Sequence, residues 1–281
     1  MTLGILGLEH SKLFRRRLIW IELAAITLLT LLIFALTAPM ARMGDGVTSA
    51  LAASMGWPNG AYEFSTIAGG NSLGGYLGII LVAATIGQEY TWRTLHLWLS
   101  RGVGRPRLLL AKFVSILWPL LLLVLASLAA ALVGSALVTV VGGGTVALAS
   151  LDLGRLLSRA VLTAYTLLPY AAITCFVTVA TRSTTAGLGI TIAFSLLVEG
   201  LLVQLLSLAS DGVAKVGQFL PVKLAQGLLY SEAQFVQVRV DSAPLAVQTL
   251  DPVPAAGLIA AYALVFLALA VWSFRRQDLT A

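Results

Sequence analysis

The residue types that commonly carry out chemistry in proteins are scarce in this 281-residue chain. It has two histidines, His10 and His96, whereas a zinc-protease site needs two histidines and a glutamate on one face of a single helix. The one cysteine, Cys175, lies inside an apolar run, so there is neither a disulfide framework nor a cysteine cluster for a metal. The sequence therefore predicts no metal site.

The surroundings of the lysines exclude ATP hydrolysis by this chain. A phosphate-binding P-loop places Ser or Thr directly after its lysine. Leu, Phe, Val and Leu follow the lysines of this sequence, which are Lys12, Lys112, Lys215 and Lys223. We therefore expect no catalytic residue, no directly bound cofactor and no enzyme activity in the chain itself.

The composition indicates what kind of element must hold the remaining polar residues. Hydrophobic residues make up 59% of the chain and charged residues 11%, and the mean hydropathy is +0.95. These values lie outside the range of ordinary soluble domains. The sequence predicts an all-α integral membrane protein with a single transmembrane domain over residues 1–281.

Six apolar stretches are long enough to cross a bilayer as helices, which takes about 20 residues each. They lie at about 18–38, 66–86, 108–140, 158–180, 186–208 and 256–274. We expect Pro119 and Pro169 to kink the third and the fourth of these spans. An even number of spans places both termini on the same side of the membrane.

The distribution of basic residues indicates which side that is. Of the 18 lysines and arginines, four precede the first span, five lie from Arg93 to Lys112 at the start of span three, one lies between spans four and five, and two follow the last span. The other six are spread over the opposite side, in longer loops and, for Arg159, at the start of span four. Because short cytoplasmic loops are enriched in Lys and Arg, both termini are expected in the cytoplasm, at the cell or inner membrane. Topology thus explains the net charge, and nucleic-acid binding is not expected.

Residues 3–17 are predicted to form an interfacial helix before the first span. Side chains suited to an apolar surface recur there at helical spacing, at Leu3, Leu6, His10, Leu13 and Phe14. Glu9 and Lys12 lie off that stripe. A helix with such a stripe lies in the plane of the membrane surface. The alternative is an ordinary basic anchor beside the first span, which explains the arginines but not the stripe.

Three glycines, Gly70, Gly74 and Gly78, recur every four residues where the second span begins. This small-xxx-small spacing lets a neighbouring helix approach closely. It predicts a helix-packing contact, which is an interface between subunits, a moving contact or tight packing within one subunit.

Glu199 lies deep in the fifth apolar stretch. Inserting a carboxylate at the centre of a bilayer costs about 2.5–3.5 kcal/mol on translocon scales. Its side chain must therefore face protein or water. Two interpretations stay open: Glu199 lines a substrate path, or it makes a structural hydrogen bond to a neighbouring helix.

A dense charged segment, GQEYTWRTLHLWLSRGVGRPR at residues 87–107, separates spans two and three. Residues 88–100 are predicted to form a cytoplasmic helix, because apolar side chains fall on one side of it, at Tyr90, Leu95, Trp98 and Leu99. Such a helix is suited to docking a cytosolic partner. The alternative is a solvated loop whose arginines only set the topology.

This segment resembles the cytoplasmic coupling segment of ABC-2 type transporter permeases. In that family an acidic residue, a Thr-Leu pair, a leucine-rich turn and a Gly/Pro-Val-x-Arg turn precede a lysine. The matching residues are, in order, Glu89, Thr94, Leu95, Leu99, Ser100, Arg101, Gly102, Val103, Arg105 and Lys112. The chain departs from the pattern at Arg93, where a glycine commonly precedes the threonine.

Two further stretches resemble the same family, so that the resemblance extends over the entire chain. The opening LEHSKLFRRRLIW is similar to its interfacial elbow helix, through Glu9, Lys12, Leu13, Arg16, Arg17 and Trp20. FLPVKLAQGLL, from Phe219, is too short to span a membrane. It is similar to the short outer helix, re-entrant or on the surface, that precedes the last span of these permeases.

The resemblance implies a six-helix permease that pairs with a second copy or a homologue and sits on two cytosolic ATPase subunits, where ATP and Mg²⁺ bind. The substrate would be hydrophobic or amphipathic and is most often exported. The implied ATPase-coupling residues are Glu89, Tyr90, Thr91, Trp92, Arg93, Thr94, Leu95, Arg101 and Arg105. Glu89 would cap or ion-pair at the start of the segment, Thr94 and Leu95 would pack in the ATPase cleft, and the arginines would make charge-assisted contacts.

Two other functions stay open. A permease-like scaffold could transmit force to a protein partner across the membrane without moving a solute. It would need a large outer docking surface, and the 209–255 loop is the candidate segment for one. A stand-alone channel or carrier would need several polar residues along a pore. Glu199 is nearly alone in the apolar stretches. Membrane lipids and an outer accessory protein are further expected contacts.

Overall fold

The computed structural model describes residues 2–42, 53–92, 98, 102–202, 216–230 and 250–277. Within these ranges the chain is all-helical and contains no β-strand. The α-helices with assigned bounds are α1 (Thr2–Phe14), α2 (Arg17–Thr37), α3 (Phe64–Ala68), α4 (Leu73–Thr91), α5 (Arg105–Val141), α6 (Leu153–Thr166), α7 (Leu168–Thr181), α8 (Thr184–Ala193), α9 (Pro221–Tyr230) and α10 (Pro252–Arg276). A π-helix, Phe194–Leu202, continues α8.

Six segments in the described ranges are long and apolar enough to cross a membrane, which confirms the predicted number and the all-α class. They are Arg17–Arg42, Asn59–Thr91, Arg105–Val141, Leu153–Thr181, Thr184–Leu201 and Pro252–Arg276. The chain is therefore a multi-pass membrane protein. The predicted end of the fifth span, near residue 208, lies outside the described residues.

The second span is interrupted, whereas the sequence predicts one continuous helix at 66–86. Helix α3 ends at Ala68 and α4 begins only at Leu73. Gly69 is extended at this point, with ψ of 173°. The hydroxyl of Ser72 donates to the carbonyls of Ile67 and Gly69, at 2.7 and 2.8 Å. The Gly69 carbonyl also accepts from the Gly75 N–H at 3.0 Å, so carbonyl groups at the break have hydrogen-bond partners inside the bundle.

The fourth span is also divided, at the position that its proline indicates. Helix α6 ends at Thr166, and α7 begins at Leu168 with Pro169 in its first turn. Proline has no backbone N–H and is tolerated where a helix starts. Pro119 does not divide its span, because α5 is one helix of 37 residues that contains Pro119.

Two sets of helix contacts hold the described bundle together. Helix α5 packs along α2, and α7 lies against α4, α8 and α10. A hydroxyl pair joins the first two helices within the apolar core, with 3.2 Å between Thr30 Oγ1 and Ser127 Oγ. Helix α10 is mostly on the outside, since only 17% of its most apolar stretch is buried. Such a surface suits contact with lipid or with another subunit.

Candidate functional site

Four charged side chains meet where α1, α4 and α5 come together, and we call them the charge cluster: Glu9, Lys12, Glu89 and Lys112. Lys112 Nζ lies 2.9 Å from Glu9 Oε2 and 3.0 Å from Glu89 Oε1. Lys12 Nζ lies 2.5 Å from the same Glu89 oxygen. The side chains of Lys112, Glu9 and Glu89 are only 1–2% exposed. Two acids and two bases balance, as buried charges require.

The position of each member along its helix explains where the charge cluster lies. Glu89 lies in the last turn of α4, which ends at Thr91. Lys112 lies two turns inside α5, which begins at Arg105. The end of α4 and the first turns of α5 therefore meet at the cluster, and α1 supplies the remaining acid and base.

Arg16, at the junction of α1 and α2, adds a second link to the end of α4. One of its terminal amino groups donates to Gln88 Oε1 at 2.8 Å, and its Cζ lies 5.8 Å from the centre of the Trp92 ring. Partial burial lowers the pKa of the Arg16 guanidinium, while the carboxylates of Glu89 and Glu9 oppose that shift. The contacts keep the α1–α2 junction against the start of the charged segment.

The other predicted coupling residues have different surroundings. Tyr90 donates its hydroxyl to Gln277 Oε1 at 3.1 Å, and Thr91 donates its own to the Gly87 carbonyl at 3.3 Å. Trp92 is 59% exposed. The remaining members of the predicted set lie outside the described residues, namely Arg93, Thr94, Leu95 and Arg101.

Arg105 contacts the end of the last span. One terminal amino group donates to the carbonyls of Arg275 and Gln277, at 2.9 and 2.7 Å. A cation at the C-terminal end of a helix satisfies carbonyls that lack intrahelical partners and suits the helix dipole. The Gln277 side chain in turn donates to the Val179 carbonyl at 2.6 Å. The charged segment is thus connected to α7 and α10 as well as to α1.

Glu199 lies in the π-helix and is 2% exposed. Its Oε2 accepts a hydrogen bond from the Tyr170 hydroxyl at 2.6 Å, and its Oε1 accepts one from the Val222 backbone N–H at 3.3 Å. Val222 is in the first turn of α9, where a helix dipole favours an acidic group. Each contact is a hydrogen bond from a neighbouring helix, as expected if Glu199 has a structural role.

The irregular parts of spans two, four and five are joined to one another. Asn71 lies in the break of span two, and its side-chain oxygen accepts hydrogen bonds from Ser195 at 2.5 Å and from Tyr76 at 3.2 Å. The Gly70 N–H donates to the Thr166 hydroxyl, at the end of α6, at 3.2 Å. The sequence pattern does not predict this polar junction. The residue that could have indicated it is Asn71, a polar residue directly after two glycines in an apolar stretch.

The three regularly spaced glycines contact three different neighbours. A Cβ at Gly70 would lie 2.6 Å from a Tyr170 ring carbon, and one at Gly74 would lie 2.6 Å from the Ala68 Cα. At Gly78 the nearest atom would be a Leu120 methyl carbon, at 2.9 Å. All three positions pack tightly within this one chain. The break in span two separates Gly70 from the helix that carries the other two.

A comparison with curated proteins found no match. A family model described as a protein of unknown function, DUF2705, matches residues 51–280. The match begins before α3 and ends beyond α10, and so it includes the polar junction, Glu89 and Lys112. It covers far more than half of the chain. The chain therefore belongs to the DUF2705 family.

Proposed function

We propose that this chain is the membrane-spanning subunit of an ABC-2 type ATP-binding cassette transporter that exports a hydrophobic or amphipathic substrate. Two cytosolic ATPase subunits would bind ATP and Mg²⁺, and a second copy or a homologous permease would complete the membrane part. The complex would lie in the cell membrane with both termini of this chain in the cytoplasm. Six membrane-length helices and the sequence resemblance support this assignment.

In this proposal α1 is the elbow helix, residues 88–105 are the coupling segment, and α9 is the short outer helix before the last span. The observation that carries the proposal is the charge cluster. It joins α1 to Glu89, at the start of the coupling segment, and to Lys112, two turns beyond the end of that segment. Removing one partner of a buried ion pair costs about 3–5 kcal/mol, so the cluster resists separation.

The cluster has a mechanical consequence in an ATP-driven cycle. A displacement imposed on the coupling segment by closing ATPase subunits would move α4 and α5 together, because Glu89 and Lys112 hold them. The same displacement would reach α10 through the hydrogen bonds of Arg105 to the end of that helix. Rigid-body movement of packed helices is a common way to switch a transporter between inward-facing and outward-facing states.

Site-specific crosslinking tests the proposal. The buried Cys175 is first replaced by alanine, and Thr94→Cys then carries a benzophenone maleimide in native membranes. Thr145→Cys is the matched control, since it lies in the exposed turn after α5, at the opposite end of that helix from Arg105. We expect an ABC ATPase to copurify with the chain and to crosslink at position 94 but not at position 145. The chain purified alone should not hydrolyse ATP.

Three results would contradict the proposal: ATP hydrolysis by the isolated chain after stringent purification, absence of any copurifying ATPase, or equal crosslinking at both positions. Crosslinking of a non-ATPase protein at position 145, without movement of a solute, would favour the scaffold alternative.

A further inference from the structure

A partly polar cavity of about 160 Å³ lies between the break in span two, α6 and α9. Its polar wall contains Asn71, Ser72, Arg159 and Gln226, and α9 supplies an apolar wall that includes Leu229. The volume is below the ~300–1,000 Å³ typical of sites for drug-sized molecules. This volume suits a small polar group of a larger molecule, whose apolar part would extend outside the cavity.

Arg159 brings the positive charge of this wall. The residue is 8% exposed, two turns inside α6. Its Nε donates to Ser65 Oγ at 2.8 Å, and its Cζ lies 5.9 Å from the centre of the Tyr62 ring. These contacts orient the guanidinium at the cavity. A fixed, planar guanidinium is well matched to the oxygens of a phosphate group.

The cavity and the charge cluster lie towards opposite ends of α4. Helix α4 connects the two places, from Leu73 beside the break to Glu89, over about 24 Å at 1.5 Å per residue. A bilayer's hydrocarbon core is about 30 Å thick. The cavity is therefore separated from the charge cluster by a distance close to the thickness of that core.

We propose that this cavity binds a phosphate group, with Arg159 as its main ligand and Gln226, Asn71 and Ser72 as polar neighbours. The mixed lining fits the headgroup of an anionic amphiphile, whose chains would follow the apolar side of α9. Glu199 takes up the Val222 N–H and does not line the cavity, so Arg159, and not the start of α9, provides the attraction. The inference is independent of the transport function proposed above.

Lipid-dependent thermal unfolding of the purified full chain in detergent tests this site. The probes are phosphatidylglycerol, phosphatidylcholine with the same acyl chains, and inorganic phosphate. A ligand that binds the folded state raises the unfolding temperature. We expect phosphatidylglycerol to stabilise the wild type more than phosphatidylcholine does. Stabilisation by inorganic phosphate alone would identify free phosphate as a source, and its absence would identify the lipid.

Arg159→Gln should weaken the apparent affinity for phosphatidylglycerol about tenfold or more, as expected for a charge-assisted hydrogen bond. Arg155→Gln, one turn earlier on α6, is the matched control and should bind like the wild type. Gln226→Phe fills the cavity without touching the Arg159–Ser65 bond, and it decides the question if Arg159→Gln does not fold. Unchanged binding in Gln226→Phe, equal stabilisation by the two lipids, or an equal loss in Arg155→Gln would overturn the proposal.

Discussion

Glu89 and Lys112 form a buried ion pair, 3.0 Å long, across the two ends of the segment that connects α4 to α5. The ion pair therefore fixes the helix ends on either side of that segment to each other. Lys112 also binds Glu9, and Glu89 also binds Lys12, so neither residue depends on a single partner.

The first prediction compares the two lysines of the charge cluster. Lys112→Met should lower the free energy of unfolding by about 3 kcal/mol or more, because it leaves two buried carboxylates without that partner. Lys12→Met removes a side chain that is 34% exposed, and should cost about 1 kcal/mol or less. Thermal unfolding in detergent gives the order of the two variants. Equal losses would contradict the larger contribution expected of the buried lysine.

The second prediction concerns the hydrogen bond between Tyr170 and Glu199. Tyr170→Phe and Glu199→Gln should each destabilise the protein by about 1–3 kcal/mol, because each disturbs a buried hydrogen bond. In a double-mutant cycle the two effects should be non-additive by at least about 0.5 kcal/mol.

The control for that cycle is Tyr165→Phe, whose hydroxyl donates to the Ala256 carbonyl instead. Its effect should add to that of Glu199→Gln. Should Glu199→Gln alter transport or substrate-stimulated ATP hydrolysis while stability and assembly are unchanged, Glu199 belongs to the substrate path and not to the structural junction.

The third prediction concerns close packing at the break in span two. Gly70→Ala should cost about 1–3 kcal/mol, because the added methyl group meets the Tyr170 ring and the Thr166 carbonyl. Gly189→Ala is the matched control, since a Cβ there meets nothing within 4 Å. It should be neutral or stabilise α8 by about 0.5–1 kcal/mol. Thermal unfolding separates the two, and equal behaviour would contradict the packing.

The fourth prediction concerns the contact of Arg105 with the end of α10. Arg105→Gln should increase hydrogen exchange over residues 270–277, because two carbonyls lose their charged donor. Arg107→Gln, in the same turn and exposed, should leave that exchange as in the wild type. No difference between the variants would show that the last span is held by its apolar packing alone.

The sequence predicts the number of spans because length and apolar composition are sufficient for that inference. It does not predict the break at Gly69–Ser72, since closely spaced glycines are typical both of a packing stripe and of an interrupted helix. Only the packing of Tyr170 against Gly70 decides between the two.

Long-range pairing explains most of what sequence reasoning misses in the sites. Glu9 lies on the polar side of the predicted stripe in α1, yet it is 2% exposed and bonded to a lysine 103 residues away. Arg159, which the topology assigns to the outer basic residues, is buried in α6 and donates to Ser65 in the second span. Local periodicity predicts neither the pairing of Glu9 with Lys112 nor that of Arg159 with Ser65.

Helix α5 has a shorter part before Pro119 and a longer part after it. Its 37 residues extend about 55 Å at 1.5 Å per residue. Pro119 lacks the N–H that would bond the preceding turn, so the helix bends more easily there than elsewhere. The arm towards Arg105 is about 21 Å long and the arm towards Val141 about 33 Å, by the same rise. A tilt about Pro119 would therefore move the Trp57–Thr139 contact at the far end about one and a half times as far as it moves the end near the charge cluster.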